Sequence, residues 1–214
     1  MNSDDYTKEL LINSWDRSYN KISKEPNDLL RDTIIWRYSE PSRYYHNISH
    51  LIGAIQTFKH YHNLNAYNLA ENPEVLELAI WFHDVICIPG NYDNEFDSFM
   101  YYKNNTELNV EVEDQIYFLI DATRHDKIET NKDCQLLCDI DLVTLGAEPL
   151  LFSIYCQKIR REYHHVPDDT YIKERIKILN KFLTKPNIYY TKEFQELYET
   201  KAQENIKNEL RRLL

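Results

Sequence analysis

Glycine is nearly missing from this chain: Gly53, Gly90 and Gly146 are the only three. A phosphate-binding loop and a dinucleotide-binding turn both need clustered glycines, so neither is expected. A turn-rich β protein is disfavoured for the same reason. Cysteine is sparse as well, with Cys87, Cys134, Cys138 and Cys156. Cys134 and Cys138 stand one helical turn apart, without a second Cys or His pair at structural-zinc spacing. They are expected to be reduced residues of the core or of a helix face. No basic start leads into an apolar secretory stretch, and no apolar run approaches the roughly 20 residues of a membrane span. The expectation is a cytoplasmic protein. Positive charge is also short, with a formal net charge of -10. Such an acidic chain repels nucleic acid and anionic membrane, although a locally basic pocket for one phosphate is still compatible with it.

What is present is a chain of 214 residues, 43% of them hydrophobic, enough for a sizeable core. Helical periodicity dominates. Ser3 is placed to cap a first helix with Asp4 and Asp5 in its first turn, and Leu11, Trp15 and Tyr19 form its buried stripe. Pro26-Asn27 opens a second helix with Leu30, Ile34 and Tyr38 inward, ending before Pro41. Asn47 caps a third through Leu51, Ile55 and Phe58, with His60 and His62 exposed at its far end. Asn72-Pro73, followed by Glu74 and Glu77, starts a central helix through Leu76, Ala79, Ile80 and His83. Pro89-Gly90 ends that region.

Further helices are expected from Asp93-Asn94 (Phe96, Phe99, Met100), Asn109 (Val112, Ile116, Leu119, Ile120) and Asn131 (Cys134, Leu137, Cys138, Asp141, Leu145). Three more follow: from Glu148-Pro149 through Ile154 and Ile159, from Asp168 through Ile172, Ile176, Leu179 and Leu183, and from Thr191 through Phe194, Leu197, Ala202, Ile206, Leu210 and Leu213. With short connections and no repeat, this is a single all-α domain over residues 1–214, of roughly ten helices.

Two places break the apolar pattern. His83-Asp84 stands in Ala79-Ile80-Trp81-Phe82-His83-Asp84-Val85, and Asp141 interrupts a buried face, whereas Asp139 falls off that stripe. Burying an unpaired carboxylate is costly, so a cation, a metal or a hydrogen-bond network must meet it. His50, in the first turn of its helix, and His46, at the helix mouth, lie four residues apart on one face. His50, His83, Asp84 and Asp141 are therefore the candidate metal ligands, drawn from three helices. Imidazole and carboxylate suit zinc, iron, manganese or, with more oxygen, magnesium. Four protein ligands would leave octahedral positions for water and substrate.

The ordered set His50, His83-Asp84, Asp141 resembles the H…HD…D signature of the HD-domain superfamily of metal-dependent phosphohydrolases. The segments Tyr45 to His50, Ala79 to Val85, Asp93-Asn94-Glu95, Asp139-Ile140-Asp141-Leu142 and Ile159 to Tyr163 are similar to a bacterial subgroup of predicted metal-dependent HD phosphohydrolases, so the resemblance covers most of the chain. It implies an all-helical fold and a divalent ion (Mn, Mg, Fe, Zn, Co or Ni). It also implies hydrolysis of a small phosphoester, often a nucleotide, by a metal-activated water. His46-Asn47-x-x-His50 is similar to the arrangement in cyclic-nucleotide phosphodiesterases, which would make His46 the general acid and His50 a ligand. Asp93 and Glu95 are candidates for a base or for orienting water. His125 is a candidate extra ligand or phosphate contact, and Arg43, Arg124, Arg160 and Arg161 are candidate phosphate partners.

The chain departs from the phosphodiesterases where a second-metal histidine is expected, because Val85-Ile86-Cys87-Ile88 follows the pair. This favours one metal over two. An HD-type iron oxygenase, with His125 helping to complete a second iron site, and a non-catalytic nucleotide sensor are the alternative readings. A homo-oligomer is compatible with all of them.

Overall fold

The computed structural model describes residues 3–60 and 65–214, with the side chains of residues 3, 4 and 60 excepted. The expected positions of His60 and His62 at a helix end thus lie outside the described side chains. The protein is all-α, with ten α-helices of ten residues or more and no strand among the described residues. None of these helices is long and apolar enough to cross a membrane. All four cysteines are free. The chain divides into two units, Met1–Leu137 and Cys138–Leu214, with the boundary inside the Lys132–Asp141 helix.

The first unit is built around the Pro73–Phe82 helix. It packs against Ile48–His60, Asn94–Asn105, Val110–Ala122 and the π-helical turn Asp16–Asn20 that continues Ser3–Trp15. Enclosed on these sides, its eight residues from Val75 to Phe82 are all buried. Trp81 meets Trp15 edge-on at 5.1 Å, and Phe82 meets Tyr102 at 5.2 Å. The expected inward stripes Leu11/Trp15/Tyr19, Leu30/Ile34/Tyr38, Leu51/Ile55/Phe58 and Val112/Ile116/Leu119/Ile120 are buried. Asparagine does the capping: Asn27 accepts from the Leu30 amide at 3.0 Å, Asn109 from Val112 at 2.9 Å and Asn131 from Cys134 at 2.9 Å.

The start of the central helix is held differently. The Asn72 side chain makes no cap hydrogen bond. Instead the Asp133 carboxylate accepts from the amides of Glu71 at 2.7 Å and Asn72 at 2.8 Å, placing an anion at the positive end of the helix. Phe96, expected inward, is exposed, and its helix turns Ser98, Phe99 and Tyr102 inward.

Glu77, expected as a first-turn charge, is fully buried. Its carboxylate accepts from Ser14 Oγ at 2.8 Å and from Arg17 at 2.6 and 3.2 Å. Burial pushes the Glu77 carboxyl up, against the pull of Arg17 and Ser14. A carboxyl held above its ordinary value weakens the fold as it ionises. Wild-type stability should therefore fall relative to Glu77→Gln as pH rises from the ordinary value of 4.5. Arg17→Met, which leaves the carboxylate without its cation, should cost about 2–4 kcal/mol at neutral pH. Urea unfolding at several pH values checks both, and parallel pH profiles for wild type and Glu77→Gln would contradict the first.

In the second unit, the short 3-10 segment Leu142–Gly146 packs against Pro149–Glu162 and Thr200–Leu213, and the last of these packs on Asp168–Thr184. Asn205 donates to the Leu145 and Ala147 carbonyls at 2.9 and 2.8 Å. Asp139, expected off the buried stripe, is fully buried. It accepts from the Tyr190 and Thr191 amides and the Thr191 hydroxyl, each at 2.7 Å, which anchors the last helical stretch. That stretch contains a π turn, Gln195–Glu199. The extra residue per turn shifts the face, so Tyr198 is buried where Leu197 was expected. Ile154 is likewise exposed, and Asp168–Thr184 buries the expected Leu179 but turns Tyr171, Arg175 and Phe182 inward in place of Ile172, Ile176 and Leu183.

Candidate metal centre

The central helix ends at Phe82, so His83 and Asp84 sit just past its C-terminus rather than on its last turn. The local hydrogen bonds explain why. In a continued helix the Ile80 carbonyl would accept from the Asp84 amide. Here His83 Nδ1–H donates to that carbonyl at 2.8 Å, and the Asp84 amide donates to the Tyr38 hydroxyl at 3.2 Å. A side chain has replaced a backbone donor, and the helix stops. Burial pushes the Tyr38 phenol well above its ordinary value, with the Asp84 charge adding to it, so the hydroxyl keeps its proton.

The bond to Ile80 also sets the His83 tautomer. With the proton on Nδ1, a neutral ring carries its lone pair on Nε2. That nitrogen lies 3.1 Å from His50 Nε2 and 3.2 Å from Asp84 Oδ2, and His50 Nε2 is 3.4 Å from the same oxygen. His50 reaches this point because Asn47 caps the Ile48–His60 helix: its side chain accepts from the Ser49 amide at 2.9 Å, which fixes His50 in the first turn. His83 is buried, and the Asp84 side chain is 19% exposed.

Two nitrogens and one carboxylate oxygen this close need a proton or a metal ion among them. Metal–ligand bonds of about 2.0–2.2 Å place neighbouring ligands roughly 2.8–3.6 Å apart in tetrahedral or octahedral arrangements. All three edges fall in that interval. Among the described residues, His50, His83 and Asp84 form the group whose ligand atoms lie within 4.8 Å of one another. Burial works against the Asp84 charge. The imidazoles of His83 and His46, together with hydrogen bonds from His50 and His83, outweigh it and hold the carboxyl well below the usual carboxylate range. Protons on the imidazoles thus meet the Asp84 charge, and a metal ion at the same three donor atoms would take their place.

His46 lies in the bend before the His50 helix, half-buried, its ring centroid 5.9 Å from that of His50 at an interplanar angle of 77°. Tyr45 contacts both rings, at 4.8 and 5.1 Å. Asp93 is the exposed N-cap residue of Asn94–Asn105, and Glu95 lies in its first turn, 3.6 Å from Arg124. His125 is half-buried on left-handed backbone (φ 54°) just after the Val110–Ala122 helix, outside the three-residue group.

Three of the four candidate phosphate arginines are engaged with protein groups. Arg43 is buried and its guanidinium donates to backbone carbonyls around the site. Arg124 donates to Asp121 at 3.0 Å and to the Tyr92 carbonyl at 2.8 Å, tethering the loop after the His-Asp pair. In the second unit, Arg160 holds Asp168 and the carbonyls of Tyr163 and Val166, and Arg161 is exposed. Asp141, half-buried, ends its helix in that second unit, and its assignment as a ligand rests on the sequence pattern. The residues that sequence reasoning missed are Tyr38 and the Ile80 carbonyl. Both lie on apolar stripes, where nothing marks their polar atoms as support for a site. No family model, curated protein or solved structure matches the chain.

Proposed function

We propose that this protein is an HD-type metal-dependent phosphohydrolase acting on a small phosphoester, a nucleotide being the favoured class. The observation that carries the reading is the triangle of His50 Nε2, His83 Nε2 and Asp84 Oδ2, with edges of 3.1–3.4 Å, built from a pre-set tautomer and an ionised acid. The ordered sequence pattern supplies Asp141 as the fourth ligand. When bound, a divalent ion contributes Lewis-acid polarisation of a phosphoryl oxygen and a lowered pKa for water at the site.

The chain's own residues do the remainder. His83 and His50 would offer ring nitrogens to the ion, and Asp84 would contribute the negative charge that helps hold it. In hydrolysis a water oxygen forms a bond to phosphorus as the ester P–O bond breaks, and the leaving oxygen takes a proton. His46 would give that proton: its ring centroid lies 5.9 Å from that of His50, and imidazole is the side chain most often used for such transfer.

The test is phosphate release from a panel of mono- and diesters, nucleotides included, with Mn, Mg, Zn, Fe, Co or Ni added to chelator-treated protein. Release that requires the ion and stops with chelator is expected. No release from any ester by metal-loaded protein would contradict the reading, and oxygen uptake by the iron-loaded protein would favour the oxygenase alternative.

A further inference from the structure

We propose that Arg43 is a positioning residue that sets the affinity of the metal site by locking together the two segments that carry its ligands. The inference rests on reading His50, His83 and Asp84 as metal ligands. The Arg43 side chain is 3% exposed. Its guanidinium donates to the Asp84 carbonyl at 2.6 Å, the Val85 carbonyl at 2.8 Å and the His46 carbonyl at 3.3 Å, while Nε donates to Glu40 at 3.1 Å. One planar fork therefore grips the peptide of one ligand, its neighbour, and the bend that leads into the His50 helix.

A buried guanidinium is a costly way to satisfy carbonyls that water could meet at a surface. What it adds is geometry. The Asp84 peptide is held on both sides, its amide by Tyr38 and its carbonyl by Arg43. Only the side-chain torsions of Asp84 are then left to bring Oδ2 to the two imidazoles. The contact to His46 fixes the other segment in the same frame. Lysine cannot reproduce this, because a single ammonium is a point charge without the fork. Partners behind the ligands orient them, and their loss typically weakens metal binding 10–100-fold.

The experiment is calorimetric titration of Mn²⁺ and of Zn²⁺ into chelator-treated wild type, Arg43→Lys and Arg17→Met, with circular dichroism and urea unfolding of each. Arg17→Met serves as a variant destabilised elsewhere in the same unit. Arg43→Lys should fold and bind the ion about 10–100-fold more weakly, while Arg17→Met keeps wild-type affinity despite its lower stability. Folded Arg43→Lys with wild-type affinity would overturn the inference. So would an affinity loss in Arg17→Met equal to that in Arg43→Lys, which would make the effect one of general stability. Should Arg43→Lys fail to fold, Glu40→Gln, which frees Nε without emptying the space, takes its place. A smaller loss of affinity is then expected, and no loss overturns the inference. Wild type that takes up neither ion overturns the metal reading itself, and the inference with it.

Discussion

Asp84→Ala is expected to remove bound metal and phosphoester hydrolysis together. Asp84 supplies the carboxylate of the triangle, with Oδ2 3.2 and 3.4 Å from the two imidazole nitrogens. Without it, two imidazole nitrogens 3.1 Å apart remain, and they lack the negative charge that helps hold a divalent ion in a partly buried site. Asp84→Asn makes the comparison sharper, because it keeps the shape and removes only the charge. It should fold like wild type and still lose most of the metal. The backbone clamps predict that both variants fold: the Tyr38 and Arg43 contacts are made by the Asp84 main chain and do not need its side chain. Metal content and activity measured on the same preparations check this. Unchanged metal content in Asp84→Ala would show that the assigned shell is wrong.

His46→Ala should keep the metal and slow turnover by roughly two to four orders of magnitude, the range for losing a general acid. His46 belongs to none of the three edges of the donor triangle, yet its ring is 5.9 Å from that of His50. The substrate dependence of the loss separates acid catalysis from other effects. A nitrophenyl ester, whose leaving group departs without a proton, should suffer less than an alkyl ester or a nucleotide. Full activity in His46→Ala on an alkyl ester would remove it from the chemistry.

Local signals were readable wherever one residue and its near neighbours determine the structure. Asn27, Asn47, Asn109 and Asn131 accept at the helix starts where an asparagine preceded an apolar-periodic run. The stripes Leu11/Trp15/Tyr19, Leu30/Ile34/Tyr38, Leu51/Ile55/Phe58 and Val112/Ile116/Leu119/Ile120 followed from spacing alone, whereas the expected burial of Phe96 did not hold. His50 was placed in its first turn by the Asn47 cap, and the His83-Asp84 anomaly pointed to the site. The readings that changed depend on partners distant in sequence. Glu77 looked like a first-turn charge because its cation, Arg17, lies 60 residues away. Asp139, read as lying off the buried stripe, accepts from amides 51–52 residues distant, and Asp133 from amides 61–62 residues distant, which no periodicity reveals.

Arg43 is the clearest case. An arginine near a histidine-rich stretch suggests phosphate, yet two of its four partners are carbonyls 41 and 42 residues further on. The helix end at Phe82 was hidden for a related reason. Residues 79–85 continue a helical pattern, and the stop comes from the His83 ring displacing a backbone donor at Ile80. The π turns, at Asp16–Asn20 and Gln195–Glu199, had no signature, and the second moved Leu197 out and Tyr198 in.

The central claim is that His50, His83 and Asp84 form a metal site. Stoichiometry measures it most directly: chelator-treated wild type, Asp84→Ala and His83→Ala are each loaded with Mn²⁺ or Zn²⁺, passed through a desalting column and analysed for metal. One ion per chain in wild type and none in either variant is the predicted result. A metal-free wild type, or variants that retain the wild-type content, would contradict it.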